Sequence, residues 1–143
     1  MIVVPFAPEH LEPLRDSPTQ RHITLGLMDE DYAQALAGVD SWTALDGDRV
    51  LGCAGLIPMW PGHVQAWALL AADIGRAGML FVTRAILRML ALQRGRIQTI
   101  VEADFEAGHR WMATLGFRLE TPHPMRGWFP DGSAASLYSR INP

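Results

Sequence analysis

The stretch best equipped for chemistry is Asp73-Ile74-Gly75-Arg76-Ala77-Gly78. It lies between an apolar run, Val64-Gln65-Ala66-Trp67-Ala68-Leu69-Leu70, and a helical pattern over Met79–Arg94. A strand feeding a glycine-bearing turn at a helix start makes an anion cradle, because the first helical turn leaves its N–H groups unpaired. Arg76 is the basic residue of that turn. The same residues also read as a plain strand-to-helix turn, and that alternative stays open. Arg84, Arg88, Arg94 and Arg96 extend the basic character, either as a phosphate patch or as a solvated helix face.

Other reactive residue types point elsewhere. Cys53 sits in an apolar strand with no histidine nearby in sequence, which favours a buried core thiol over a nucleophile. The five histidines lack metal-ligand spacing, so no metal is expected. Trp67 and Trp111 read as core, whereas Trp60 and Trp128 fall in turns where they can face a ligand or partner.

The elements that must position these residues follow from pattern. Ile2-Val3-Val4 reads as a strand stopped by Pro5, and Pro8–Leu14 as a brief helix limited by Pro13. Ser17-Pro18-Thr19-Gln20 is a capping-box helix start. Asp29-Glu30-Asp31 places acid at the head of a helix over Glu30–Ala37, closed by Gly38. Ser41–Leu45, the turn Asp46-Gly47-Asp48 and Arg49–Met59 form a hairpin, with Gly52 and Gly55 marking a bulge or a close backbone approach. After the turn Trp60-Pro61-Gly62, Val64–Leu70 completes an antiparallel meander.

The helix Met79–Arg94 has apolar residues at 79, 82, 86, 89 and 90, widened by 80, 87 and 91, and so packs hard on a sheet. Ile97–Val101 follows as a strand parallel to Val64–Leu70. Ala107, Trp111 and Leu115 predict the buried face of a short helix over Glu106–Leu115. Phe117–Leu119 and Ala135–Ile141 close the chain as strands, joined across Pro122–Gly132, which reads as a packed lid or an interaction surface.

The bulk numbers narrow the class. The 143 residues suit one domain over 1–143 with a real core. Apolar residues make up 49% and charged residues 19%, the composition of a folded globule. A net charge of −3 gives no support for binding nucleic acid through phosphate neutralisation. A single cysteine fits a reducing compartment. No apolar run is long enough to span a bilayer, and no signal peptide is evident, so an intracellular protein is expected.

The order strand, helices, three antiparallel strands, helix, strand, helix, two strands is an α+β mixed-sheet arrangement. It resembles the GNAT acetyltransferase superfamily, as do Gly116-Phe117 and the closing pattern Met125…Asp131-Gly132…Tyr138-Ser139-Arg140. Gln65-Ala66-Trp67-Ala68-Leu69-Leu70 and Gly108-His109-Arg110-Trp111…Leu115-Gly116-Phe117 look most like small GNAT-like proteins of tailed phages and prophages. Some of those are virion or virion-assembly proteins.

The resemblance implies acetyl-CoA (or coenzyme A) held where the fourth and fifth strands splay. Leu69, Leu70 and Ala71 would then offer backbone groups to pantetheine. Gly75, Arg76, Ala77 and Gly78 would hold the pyrophosphate. Read against the family's R/Q-x-x-G-x-G/A loop from Ala72, Gly75 and Ala77 fit while Ala72 replaces the basic or amide residue. From Gly75, only Gly78 fits. Met112 stands where many relatives carry a tyrosine that protonates the leaving thiolate, and Phe105 where an asparagine is common. Neither can donate a proton to sulfur. Glu102 is the best-placed general base for an amine acceptor, with Asp73, Asp104 and His63 behind it, although Glu102 also reads as a residue that caps a strand end or pairs with an arginine. Two functions follow: acetyl transfer to an amine, or an inactive assembly role among phage virion proteins. The corresponding locations are the host cytoplasm and the particle.

Overall fold

The computed structural model describes residues 1–15, 17 and 30–143. Among these, β-branched and apolar runs bounded by turn residues build β1 (Ile2–Pro5), β2 (Ser41–Asp46), β3 (Arg49–Trp60), β4 (His63–Leu70), β5 (Gly95–Glu102), β6 (Arg118–Leu119) and β7 (Ala135–Asn142). Helices α1 (Glu30–Ala37), α2 (Gly75–Leu92) and α3 (Glu106–Thr114) lie between them, and a 3-10 segment, Pro8–Leu14, follows β1. The strands form one mixed sheet in the order β1-β2-β3-β4-β5-β7-β6. The first four make the expected antiparallel meander. β5 joins β4 in parallel after the crossover through α2. β7 inserts between β5 and β6, antiparallel to both.

Alternation along the strands gives the sheet two apolar faces, and each is covered. On one face Leu51, Leu56, Val64, Ile97 and Val101 pack under Val82, Ile86 and Leu90 of α2 and Met112 of α3. On the other, Cys53 and Leu69 pack under Leu11 and Leu14 of the 3-10 segment and Ala33 and Leu36 of α1. Pro13 lies inside the 3-10 segment instead of ending it. The predicted helix start at Pro18-Thr19-Gln20, and Asp29, lie outside the described residues. Ser17 is buried and its hydroxyl donates to the Leu70 carbonyl at 3.0 Å.

Two helix expectations need correction. The apolar stripe predicts a helix over Met79–Arg94, but α2 runs Gly75–Leu92. It starts early because Gly75 takes φ +74°, a left-handed value open to glycine, which turns the chain directly into the helix. It ends early because Gln93 is already extended (φ −83°, ψ 130°). In α3 the buried face is Gly108, Met112 and Leu115, not Ala107, which is exposed. A Cβ at position 108 would lie 2.9 Å from Val101 Cγ1, so the glycine lets α3 approach β5 along a different line. Trp111 is half-buried and spends its indole N–H on Thr83 Oγ1 of α2 at 3.0 Å.

Candidate functional site

β4 meets β5 over only three register pairs, His63↔Arg96, Val64↔Ile97 and Gln65↔Gln98. Both strands continue, to Leu70 and Glu102, but no longer pair with each other. At the fork the Thr99 hydroxyl donates to the Ala66 carbonyl at 2.9 Å, a side-chain bond in place of the next rung. Below it, Gln98 Nε2 donates to Gln65 Oε1 at 3.1 Å and Arg96 Nε to Gln98 Oε1 at 3.2 Å, bracing the closed end.

The backbone of β4 alternates between its two sides. The Ala71 N–H is committed to Leu51 O of β3 at 2.9 Å, so the main chain of Ala71 and Leu69 turns toward β3 and that of Leu70 toward the fork. The Leu70 carbonyl accepts the Ser17 hydroxyl there. The Leu69 side chain is fully buried on the α1 face.

The first turn of α2 lies immediately beyond β4. Ile74, its N-cap, makes no side-chain capping bond, and the turn holds no acidic residue. The N–H groups that begin α2 are therefore available to an anion, and Gly75, Arg76 and Ala77 are exposed. Gly78 is buried: a Cβ there would lie 2.9 Å from Ile74 Cγ1 and 3.3 Å from Leu51 Cδ2. Arg49, which the sequence did not single out, braces this turn. Its Nη2 donates to the Asp73 and Ile74 carbonyls at 2.9 and 3.0 Å. Only the register of β3 against β4 brings it there, across 24 residues of chain.

Glu102 is the last residue of β5, and alternation with the buried Val101 puts its side chain on the face away from α2 and α3. Asp73 and Asp104 are exposed, each just beyond the end of a fork strand. His63 is buried at the closed end, its ring edge-on to Trp60 at 4.4 Å, so it does not join them. Leu70 and Glu102 are thus the last residues of the two fork strands, and Gly75, Arg76 and Ala77 are exposed at the helix start that follows β4.

No protein-family model matches the sequence, and no curated protein matches it. Solved structures do. Ard1 from Thermoplasma volcanium aligns with a TM-score of 0.78 at 15% identity, covering 99% of this chain and 97% of that one. A ribosomal-protein-alanine N-acetyltransferase from Brucella melitensis aligns at 0.73 and 15% identity, covering 99% and 100%. A GNAT-family acetyltransferase from Bacillus anthracis aligns at 0.73 and 15% identity, covering 97% and 93%. The fold is the GNAT fold.

Within this GNAT fold Met112 is buried among Val101, Leu115, Phe117 and Tyr138, and its thioether has no proton to give. Phe105, the N-cap of α3, supplies no side-chain cap. One turn from Met112, His109 Nε2 lies 2.9 Å from the Ala103 carbonyl and Nδ1 lies 2.6 Å from Tyr138 Oη. A carbonyl only accepts, so Nε2 carries the proton and Nδ1 accepts from the phenol. Burial pushes the Tyr138 hydroxyl above its ordinary pKa, which keeps that proton in place. The pair clamps α3 to β7 and to Ala103, the residue just past β5. Cys53 is buried, and burial raises its thiol pKa to about 11, so it is an inert core residue. Trp60 and Trp128 are 60% and 52% exposed.

Proposed function

We propose that this chain binds acetyl-coenzyme A in the β4–β5 fork and transfers the acetyl group to an amine. The observation that carries the reading is the loss of the β4–β5 ladder after Gln65↔Gln98, beside a helix start with neither side-chain cap nor acid. The α2 N–H groups and Arg76 suit a pyrophosphate. The coenzyme supplies an acyl carbonyl activated as a thioester. With the coenzyme bound, Glu102 would take the proton lost by the acceptor nitrogen as the C–N bond replaced the thioester C–S bond. Met112, in the core, has no proton to give a leaving thiolate, so a bound coenzyme would have to be protonated by solvent and slow turnover is predicted.

Calorimetry with acetyl-CoA and with coenzyme A tests this. A saturable heat for both is expected, with a thermal shift of the size that ligand linkage gives, about 2.7 kcal/mol at a hundredfold excess over Kd. Neither heat nor shift at millimolar ligand disposes of the reading.

A second reading is a structural or assembly role in a tailed-phage particle, with the fork kept and the chemistry lost. Its support is the absence of a proton donor at Met112 and Phe105, together with the phage-like motifs around Trp67 and Gly108. Mass spectrometry of purified virions decides: a particle lacking the protein, with normal assembly when the gene is deleted, rules this role out.

A further inference from the structure

A cavity of about 330 Å³ lies between α2 and the β1–β3 end of the sheet. None of its lining residues belongs to β4 or β5, so it is separate from the fork. Its floor is unusually small-chained, Ala44, Gly52 and Ala54, and Val82, Ala85 and Ile86 roof it from α2. The space exists because these floor positions carry at most one methyl group where facing elements otherwise interdigitate. The mouth is marked by Arg88 and by Leu92, which is 85% exposed one turn further along α2.

The charge pattern restricts what fits. Arg88 and Cys53 are the ionisable residues on the lining, and burial keeps the Cys53 thiol protonated. Among the described residues no carboxylate lines the cavity, and Arg88 has no ion pair or hydrogen bond. The site is thus apolar within and cationic at the rim, with its charge uncompensated. We propose that it binds a free medium-chain alkyl carboxylate, the chain lying under α2 and the carboxylate on the Arg88 guanidinium. A cavity of ~150 Å³ holds one benzene, so this one accommodates a chain on the order of ten carbons. The proposal does not rest on acetyl transfer.

Titration of decanoate into the full-length protein, read by calorimetry and by tryptophan emission from Trp42 on the lining, tests it. One saturable site is expected, with decanol at least about tenfold weaker because it lacks the charge-assisted bond. Arg88→Glu, an exposed substitution that leaves the core intact, should weaken decanoate by about tenfold or more and abolish its advantage over decanol. Ala85→Phe should fill the space and remove binding of both, with folding checked by thermal melting. Equal decanoate affinity in wild type and Arg88→Glu, or no saturation below the micellar range, overturns the proposal. So does co-sedimentation with phosphatidylglycerol vesicles without decanoate binding, which would make the occupant a membrane lipid. Acetyl-CoA binding should be unchanged in Arg88→Glu, so failure here and failure of the fork reading are told apart.

Discussion

β4 treats its two neighbours differently. Against β3 it is paired from Trp60↔His63 to Gly52↔Leu70, essentially its whole length. Against β5 it is paired over three residues and then released. The β3 side is close enough that a Cβ on Gly55 would lie 2.6 Å from Trp67 Nε1. The β5 side keeps a hydroxyl, Thr99, where a backbone rung would be. A sheet tolerates such an opening only when each strand is anchored on its other edge. Here β5 is, because β7 pairs with it from Gly95↔Asn142 to Glu102↔Ala135. The lesson is that the fork is a rigid feature with two fully laddered walls.

Four substitutions test that contrast, from the largest expected effect to the smallest. Leu69→Ala attacks the laddered side, where the side chain is fully buried, and should cost about 2–5 kcal/mol in urea unfolding. A loss below 1 kcal/mol would mean that this wall is loosely packed. Arg76→Glu attacks the open side, and calorimetry should show acetyl-CoA weakened at least about tenfold while stability moves by no more than about 0.5 kcal/mol. Unchanged affinity would remove Arg76 from the site.

Thr99→Val deletes the hydroxyl at the fork and should cost about 0.5–1.5 kcal/mol, with faster exchange of amides at the open end. No change in exchange there would show that the hydroxyl does not set where the strands part. Glu120→Gln is the mildest change. Arg96, at the closed end, holds the Glu120 carboxyl below its usual pKa, so the stability it adds is present above the ordinary carboxylate range and lost as pH falls through the lowered value. Screening limits that contribution to below ~1 kcal/mol. Wild type and variant should therefore differ slightly at pH 7 and converge as pH falls through the lowered carboxyl value. A gap that stays constant from pH 7 down through acid titration would contradict the linkage.

Much of this was legible in the residues themselves. The hairpin through Asp46-Gly47-Asp48 and the helix Glu30–Ala37 appear where turn chemistry and first-turn acids place them. The parallel step from β4 to β5 follows from the intervening helix. The early start of α2 was missed because glycines at 75 and 78 look like loop residues, yet one supplies a left-handed turn and the other a close packing contact. The inward face of α3 was misjudged because periodicity weighs side-chain hydrophobicity, whereas Gly108 is buried for having no side chain at all. Arg49 gave no signal, since its role depends on a partner distant in sequence. No helix among the described residues is long and apolar enough to cross a membrane.

What the residues alone determined was the order and kind of the elements, because alternation, helical stripes and turn residues act over a few positions. They also determined which groups lack a proton to give, since Met112 and Phe105 have none in any fold. Only the tertiary structure decided that β4 parts from β5 after Gln65, that Arg49 braces the start of α2, and that Arg88 overlooks an apolar cavity. Each of those depends on which strand edge is already occupied and on which small residue lets two elements close up, and such distances between remote parts of a chain are set by packing.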